Sequence, residues 1–192
     1  AYPIPTVGND IHVTGRLVNF TWYRNLPAGP SYEEVLTDST GIRRPVSVPP
    51  GLVQQRQVDR MRADADAMLP PPLAELVTSA KNPFITAIVD TDCPGLARGR
   101  VCIIGDAGVA ARPHAAAGSA KAASEAWLLA ETLERTGGDD VPGTLDTWEA
   151  AALPQARALL ERTRDMGARL QGTAGTWTPS DPGNRFGLGK PE

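Results

Sequence analysis

The sequence is poor in aromatic residues and in cysteine. Aromatic residues make up 5% of the 192 residues, and the two cysteines are Cys93 and Cys102. Leu, Val, Ile and Ala must therefore form most of the core. Neither cysteine has neighbours at metal-ligand spacing, so no metal site is predicted. Two unpaired cysteines fit a reducing compartment better than a disulfide scaffold, which favours a cytoplasmic location.

The sequence also lacks a large excess of one sign of charge and has no long apolar run. The formal net charge is −3, and the nearest approach to a basic cluster is Arg43-Arg44, so nothing favours a nucleic-acid partner. No run of about 18 apolar residues occurs, which argues against a transmembrane helix. Residues 1–5 have neither the basic nor the apolar region of a signal peptide. The expected partners therefore include neither nucleic acid nor a membrane.

The first part of the chain has the composition of a β-rich region. Residues 11–24 are rich in β-branched and aromatic residues, with alternation from residue 18 onwards, and predict a half-buried antiparallel strand. Residues 4–7 are its predicted hairpin partner, with a turn at residues 8–10. Residues 25–50 contain many Pro and Gly residues and predict loops with short strands.

Two helices and a strand are predicted next. Apolar residues at helical spacing predict a helix over residues 53–69, which the prolines at 70–72 end. Pro72 suits the first turn of a second helix running to about Ala80. Residues 84–89 are apolar and β-branched and predict a strand. The apolar positions of the first helix are Val58, Met61, Ala65, Met68 and Leu69.

The later part of the chain predicts a buried strand and two long helices. Residues 101–104 are wholly apolar, which is typical of a strand covered on both faces. A helix is expected from Gly118 to about Thr136, a turn at residues 139–143, and an amphipathic helix over residues 144–170 that Pro154 kinks or divides. The expected core residues of this last helix are Leu145, Trp148, Ala152, Leu159, Leu160 and Met166.

The segment between the buried strand and the next helix has the features of a ligand site. Asp106 follows the strand directly, where ligands of open α/β sheets bind, and its carboxylate suits a polyol or ribose. The helix beginning near Gly118 offers free N–H groups, and the small residues around it let a planar ligand approach the backbone. The alternatives are an Asx turn at Asp106 and a small-residue helix packed on a sheet.

The same segment resembles a known fingerprint. Residues 99–133 read GRVCIIGDAGVAARPHAAAGSAKAASEAWLLAETL. They resemble the second FAD fingerprint of the flavoprotein aromatic hydroxylases, the para-hydroxybenzoate hydroxylase family. The matching elements are Gly105-Asp106-Ala107-Gly108, Pro113, Gly118 and Glu125-Ala126. Residues 111–123, 18–25 and 181–187 most resemble the hydroxypyridine monooxygenases within that family.

The resemblance implies a fold and a division of the chain. It implies an α+β fragment of an α/β FAD-binding fold, with part of an antiparallel substrate-domain sheet followed by the C-terminal part of the FAD domain and long helices. Residues 1–90 would belong to the substrate domain, residues 91–171 to the FAD-binding domain, and residues 172–192 to a Gly- and Pro-rich tail.

The resemblance also implies cofactor contacts. Asp106, next to Gly105, would bind a ribityl hydroxyl of FAD, and Pro113 would sit over the flavin edge. Gly118 and Ser119 would offer N–H groups to the flavin N1 and O2 region. Ala120 completes this group, although many relatives have Asn there, so that a side-chain contact is lost. In the same way Val109 replaces a frequent His and Glu125 replaces the usual Asp.

Three further residues are candidates for catalysis or substrate binding. His114 occupies a loop position that faces the ring in the family and could bind substrate or move a proton, although a lone histidine is more often structural. Arg112 could hold an anionic substrate or an FAD phosphate, or simply form a surface ion pair. Tyr23 could line the substrate pocket, whereas core packing is expected for Trp22.

The family's first fingerprint, Gly-x-Gly-x-x-Gly, and its mid-chain Asp-Gly segment are absent from these 192 residues. Together with the missing initial Met, this predicts a C-terminal fragment whose partners are the N-terminal half and, in a homodimer, a second copy. The implied activity is FAD-dependent hydroxylation of an aromatic or hydroxypyridine-like ring with O2 and NADH or NADPH. The alternatives are an epoxidase or halogenase of the same fold and a non-catalytic remnant.

Overall fold

Proline and glycine set many of the element boundaries in the computed structural model. It describes residues 1–6, 8–137, 139–176, 178, 180, 181, 184 and 186–188. The chain divides into two compact units, Ala1–Ala87 and Ile88–Glu192, which we describe separately.

The strands of the first unit are short and antiparallel. Strand β1 (Tyr2–Ile4) pairs with β2 (Leu17–Asn19). An antiparallel pair is therefore present, but it uses residues 2–4 rather than the predicted residues 4–7, and the predicted 14-residue strand is wrong. The chain between them forms turns, in which the His12 N–H donates to the Asp10 carboxylate. Strand β3 (Ser47–Val48) pairs with β4 (Ile85–Thr86), a two-residue remnant of the strand expected over residues 84–89.

Three helices complete the first unit. Helix α2 (Gln55–Met68) and helix α3 (Pro71–Thr78) confirm the two predicted helices and the proline boundary between them. Val58 and Ala65 of α2 are buried, whereas Met68 is 63% exposed and does not belong to the core. Helix α1 (Pro30–Val35) was not predicted; its signal is Gly29 followed by Pro30 at the first helical position.

The strands of the second unit do not form the predicted covered sheet. Strand β5 (Thr91–Asp92) pairs with β8 (Val109–Ala110), and β6 (Ala97–Arg98) pairs with β7 (Val101–Cys102), both antiparallel. Val101 is 67% exposed and Cys102 only half-buried. The prediction of a strand covered on both faces is therefore wrong for this structure, because β7 has a hairpin neighbour and an open face.

Two long helices form the core of the second unit. Helix α4 (Gly118–Thr136) ends where Gly137 adopts a left-handed conformation with φ 74°, as predicted. Helix α5 (Val141–Leu170) begins earlier than expected, because the Asp140 side chain caps it by accepting from the Gly143 N–H. All six predicted core residues of α5 are buried. They are Leu145, Trp148, Ala152, Leu159, Leu160 and Met166.

Pro154 does not divide helix α5. The helix is continuous from Val141 to Leu170 with Pro154 inside it. Proline removes the hydrogen bond to the carbonyl four residues earlier. Both Pro154 and Ala150, whose carbonyl loses that bond, are exposed. Because this defect lies on the solvent side, the helix tolerates it.

Candidate functional site

The turn after strand β7 has a backbone that favours glycine. Residues Gly105–Ala107 form one turn of 3-10 helix, in which Gly105 is buried and has φ 63°. A Cβ atom at this position would also lie 3.3 Å from the Ala122 Cβ on α4. Glycine therefore allows the turn to adopt this conformation close to the helix.

A buried ion pair on α4 binds this turn. The Lys121 and Glu125 side chains are 4% and 5% exposed, and Lys121 Nζ lies 2.9 Å from Glu125 Oε1. The Gly105 N–H donates to Glu125 Oε2 at 2.7 Å, and Lys121 Nζ donates to the Gly105 carbonyl at 3.0 Å. Both backbone groups of Gly105 are thus satisfied by one charge pair.

Asp106 projects from the turn to solvent. It is exposed, and no group in the described part of the chain hydrogen-bonds to its carboxylate. The alternative in which Asp106 forms an Asx turn or a helix cap therefore has no hydrogen bond to support it among these residues. The carboxylate can accept hydrogen bonds from a ligand.

The first turn of α4 lies close to Asp106 in the fold. The first helical hydrogen bond runs from the Lys121 N–H to the Ala117 carbonyl at 2.8 Å. The N–H groups of Gly118, Ser119 and Ala120 donate to no group among the described residues, and no side chain caps the helix. All three residues are exposed, and a Cβ at Gly118 would meet nothing within 4 Å. This helix end suits an acceptor or anionic group.

The loop between Asp106 and α4 places its proline outside and its histidine inside. Pro113 is exposed, whereas His114, in the same 3-10 turn Pro113–Ala115, is 9% exposed. His114 Nε2 would lie 2.7 Å from a Cβ built at Gly167 of α5. Burial, and secondarily the charge of Arg112, lower the pKa of His114, which favours a neutral ring.

Arg112 is held by a carboxylate. Its Nε donates to Asp90 Oδ2 at 2.8 Å, and Arg164 of α5 binds both oxygens of the same carboxylate. Hydrogen bonds from Arg164 and then from Arg112 hold the pKa of Asp90 at about 2. The ion pair weighed as an alternative for Arg112 is therefore present, and its substrate-binding role stays a prediction.

Tyr23 is the one predicted site residue in the first unit. It follows strand β2 and is 44% exposed, and partial burial raises the pKa of its hydroxyl. The neighbouring Trp22 is half-buried and stacks against Arg24, whose Cζ lies 4.9 Å from the ring centroid. A role for Tyr23 in substrate binding stays a prediction.

Sequence reasoning missed the most buried polar elements of this site. The sequence suggests no role for Lys121 and marks Glu125 only as a replacement for the usual Asp. Their i,i+4 spacing is the signal that predicts a pair, but their burial depends on the turn packed over them. No group of three or more potential metal ligands occurs among the described residues, and no described helix has the length and apolarity to span a bilayer.

Comparisons with known proteins point to flavin-dependent hydroxylases. A family model described as FAD binding domain-like matches residues 1–90. The chain is 40% identical to 2,6-dihydroxypyridine 3-monooxygenase from Paenarthrobacter nicotinovorans over 190 residues, which are 99% of this chain and 46% of the relative. The chain thus spans about half the length of that relative.

Two solved structures are also similar to this chain. The 2,6-dihydroxypyridine-3-hydroxylase from Arthrobacter nicotinovorans superposes with a TM-score of 0.76 at 37% identity, covering 89% of this chain and 43% of that one. HpxO from Klebsiella pneumoniae, solved with FAD and uric acid, gives a TM-score of 0.52 at 27% identity, covering 65% and 33%. The resemblance to the flavoprotein hydroxylases and the α+β fold with long helices are thereby confirmed.

Proposed function

We propose that this chain supplies one side of the FAD site in a monooxygenase that hydroxylates an aromatic or N-heteroaromatic ring with O2 and NADH or NADPH. One observation carries the proposal. An exposed carboxylate without a described partner, Asp106, lies beside a helix end whose first N–H groups are unused, and a buried ion pair joins the two. The 40% identity to a dihydroxypyridine monooxygenase supports a hydroxypyridine-like substrate.

The residues present fit FAD. A flavin carries ring carbonyl and nitrogen acceptors that become more negative on reduction, and the N–H groups of Gly118, Ser119 and Ala120 at the positive end of α4 complement them. The Asp106 carboxylate complements the ribityl hydroxyls. The open space beside Gly118 leaves room for a planar ring. When bound, FAD supplies the transfer of electrons from NAD(P)H to O2 and of one oxygen atom to the substrate.

The remaining site residues keep the roles proposed for them. Pro113, exposed before α4, covers the ring edge and excludes water. Arg112 orients an anionic substrate, and Tyr23 lines the substrate pocket. For His114 the proposed role is to hold or move a proton, but its burial against Gly167 favours packing.

The proposed roles divide the chain into three segments. Residues 1–90 form the substrate side, residues 91–171 the flavin side, and residues 172–192 a tail. The first division lies close to the boundary between the compact units at Ala87 and Ile88. The family model that matches residues 1–90 is described as FAD binding domain-like. This match supports a flavin-binding protein that includes the substrate side. The pyrophosphate-binding glycine loop would come from the N-terminal half of the protein, in a cytoplasmic enzyme that forms a homodimer.

The test uses the full-length protein that contains this sequence. We expect it to retain FAD, to consume NADH or NADPH faster when a hydroxypyridine or phenol is added, and to incorporate one atom of 18O2 into the product. The 192-residue chain alone is the control and should lose the flavin on gel filtration. Flavin retention without stimulated NAD(P)H consumption by any such substrate would overturn the hydroxylase function, and absence of flavin would favour a non-catalytic remnant.

A further inference from the structure

We infer that Lys121 and Glu125 are positioning residues that fix the Gly105–Ala107 turn against the start of α4. They thereby set the spacing between Asp106 and the free N–H groups at the helix end. The effect on flavin binding rests on the proposed function, whereas the effect on the turn does not.

The contacts define one rigid junction. Lys121 and Glu125 bind each other at 2.9 Å, and each also binds a backbone group of Gly105, at 3.0 Å and 2.7 Å. Gly105 directly precedes Asp106. Lys121 follows Gly118, Ser119 and Ala120 by one to three residues, so it lies about 1.5–4.5 Å along the helix axis from their free N–H groups at 1.5 Å rise per residue. A displacement of the turn therefore changes the spacing of the proposed ligand contacts directly.

The pair is also tied to the core of the second unit. Trp148 Nε1 donates to the Glu125 carbonyl at 3.0 Å, and Trp148 is fully buried on α5. The α4 backbone at Glu125 is thus held by helix α5 as well. A shift of α4 that followed the Gly105 turn would have to break this hydrogen bond.

Stability alone does not account for a buried ion pair at this place. Burying two charges removes them from water, and well-packed apolar residues of similar volume are often equally stable or more stable. What apolar residues cannot provide is a donor and an acceptor for the backbone of Gly105. The chemistry of the pair therefore serves the orientation of the turn.

The experiment compares the double variant Lys121→Met/Glu125→Leu with the wild type in the full-length protein. We expect amide exchange at Gly105 to accelerate at least tenfold under conditions in which the protein stays folded, and the dissociation constant for FAD to rise at least tenfold. If the pair served stability alone, the double variant would have a lower urea midpoint, and its FAD affinity would fall only in proportion to the fraction of folded protein. Arg60→Met is the matched control, because Arg60 forms an i,i+4 pair with Asp64 at 3.9 Å but is 65% exposed.

The outcomes separate the two proposals. Unchanged exchange at Gly105 would overturn the positioning role whether or not FAD binds, and so would faster exchange with FAD affinity within twofold of the wild type. Failure of the wild type to bind FAD would count against the proposed function only, since the exchange measurement still decides the role of the pair. If the double variant does not fold, Glu125→Gln takes its place. Its neutral oxygen accepts a weaker hydrogen bond from the Gly105 N–H than the carboxylate does, so exchange at Gly105 and the dissociation constant for FAD should both rise, by less than in the double variant. No change in either quantity would overturn the positioning role.

Discussion

The close approach of His114 to Gly167 gives a sharp prediction about the loop that carries Pro113. In Gly167→Ala, the new methyl carbon would lie 2.7 Å from His114 Nε2, 3.0 Å from its Cδ2 and 3.2 Å from Arg112 Nη1. The first two distances are shorter than van der Waals contact allows, and the buried ring has little room to retreat. The substitution should therefore displace the Pro113–Ala115 turn from α5.

Two opposing contributions determine how much Gly167→Ala changes the free energy of unfolding. Replacing glycine by alanine inside a helix stabilises it by about 1 kcal/mol, whereas overpacking a tight contact costs about 1–3 kcal/mol. Because the clash involves a ring rather than the end of a flexible chain, we expect the upper part of that range. The net result is a loss of about 1–2 kcal/mol in the free energy of unfolding.

The assay is a double-mutant cycle measured by urea unfolding at pH 8. In the His114→Ala background the ring is absent, and of the three nearest atoms only Arg112 Nη1 remains, at 3.2 Å from the methyl carbon. There Gly167→Ala should stabilise by about 1 kcal/mol, which gives a coupling of about 2–3 kcal/mol between the sites. Ala158→Gly, on an exposed position of the same helix, calibrates helix propensity and should cost about 1 kcal/mol.

Equal effects of Gly167→Ala in the two backgrounds would refute this reasoning, because the coupling would then be zero. A stabilising effect in the wild-type background would have the same meaning. Either result would show that the His114 ring does not pack on α5 as described, and would reopen its assignment as a residue that faces the substrate.

Three further predictions concern charge. Asp106→Asn should leave the free energy of unfolding within about 0.5 kcal/mol of the wild type. It should weaken FAD binding by roughly 10–100-fold, since a charged hydrogen-bond acceptor contributes about 1.5–3 kcal/mol. Fluorescence titration of the full-length protein measures the FAD affinity, and an unchanged affinity would contradict this prediction. Asp90, with its pKa at about 2, contributes stability above its unfolded pKa of about 3.9 that is lost as the pH falls towards 2; Asp90→Asn should lower the urea midpoint at pH 7 and make no difference near pH 2. For His114 the lowered pKa means that the unfolded state takes up the proton first as the pH falls below about 6.5. His114→Gln should therefore flatten the decline of the urea midpoint from pH 7 to pH 5, and an unchanged slope would mean that His114 does not titrate differently on folding.

The four longer helices could be predicted from the sequence because their signals are local, whereas the six-residue helix α1 could not. Helix α4 begins and ends where small residues and Gly137 indicated, and the buried face of α5 follows its apolar spacing. The strands could not be predicted in extent. Residues 11–24 have high β propensity, yet only Leu17–Asn19 pair, because a strand also needs a neighbour, which propensity cannot specify.

The site was partly predictable for the same reason. Asp106 and Gly118 follow from their places at an element's end and start, and the structure leaves both exposed. An ion pair was one alternative for Arg112, but its partner Asp90 could not be predicted, because the two residues are 22 positions apart and meet only when the second unit folds. His114 looked like a catalytic candidate since histidine chemistry is visible in a sequence and burial against Gly167 is not.

The residues proposed to contact the flavin lie within a short stretch of the chain. Asp106, the helix end at Gly118 and the Lys121–Glu125 pair all fall within residues 105–125, and their mutual contacts involve few other residues. Such a local arrangement is formed before any ligand arrives, and preorganised donors bind an acceptor without further ordering. Affinity for the whole of FAD, however, also depends on its phosphates, and these 192 residues contain no glycine-rich phosphate loop. Under the proposed function, the chain should therefore orient a flavin ring well while holding the whole cofactor weakly.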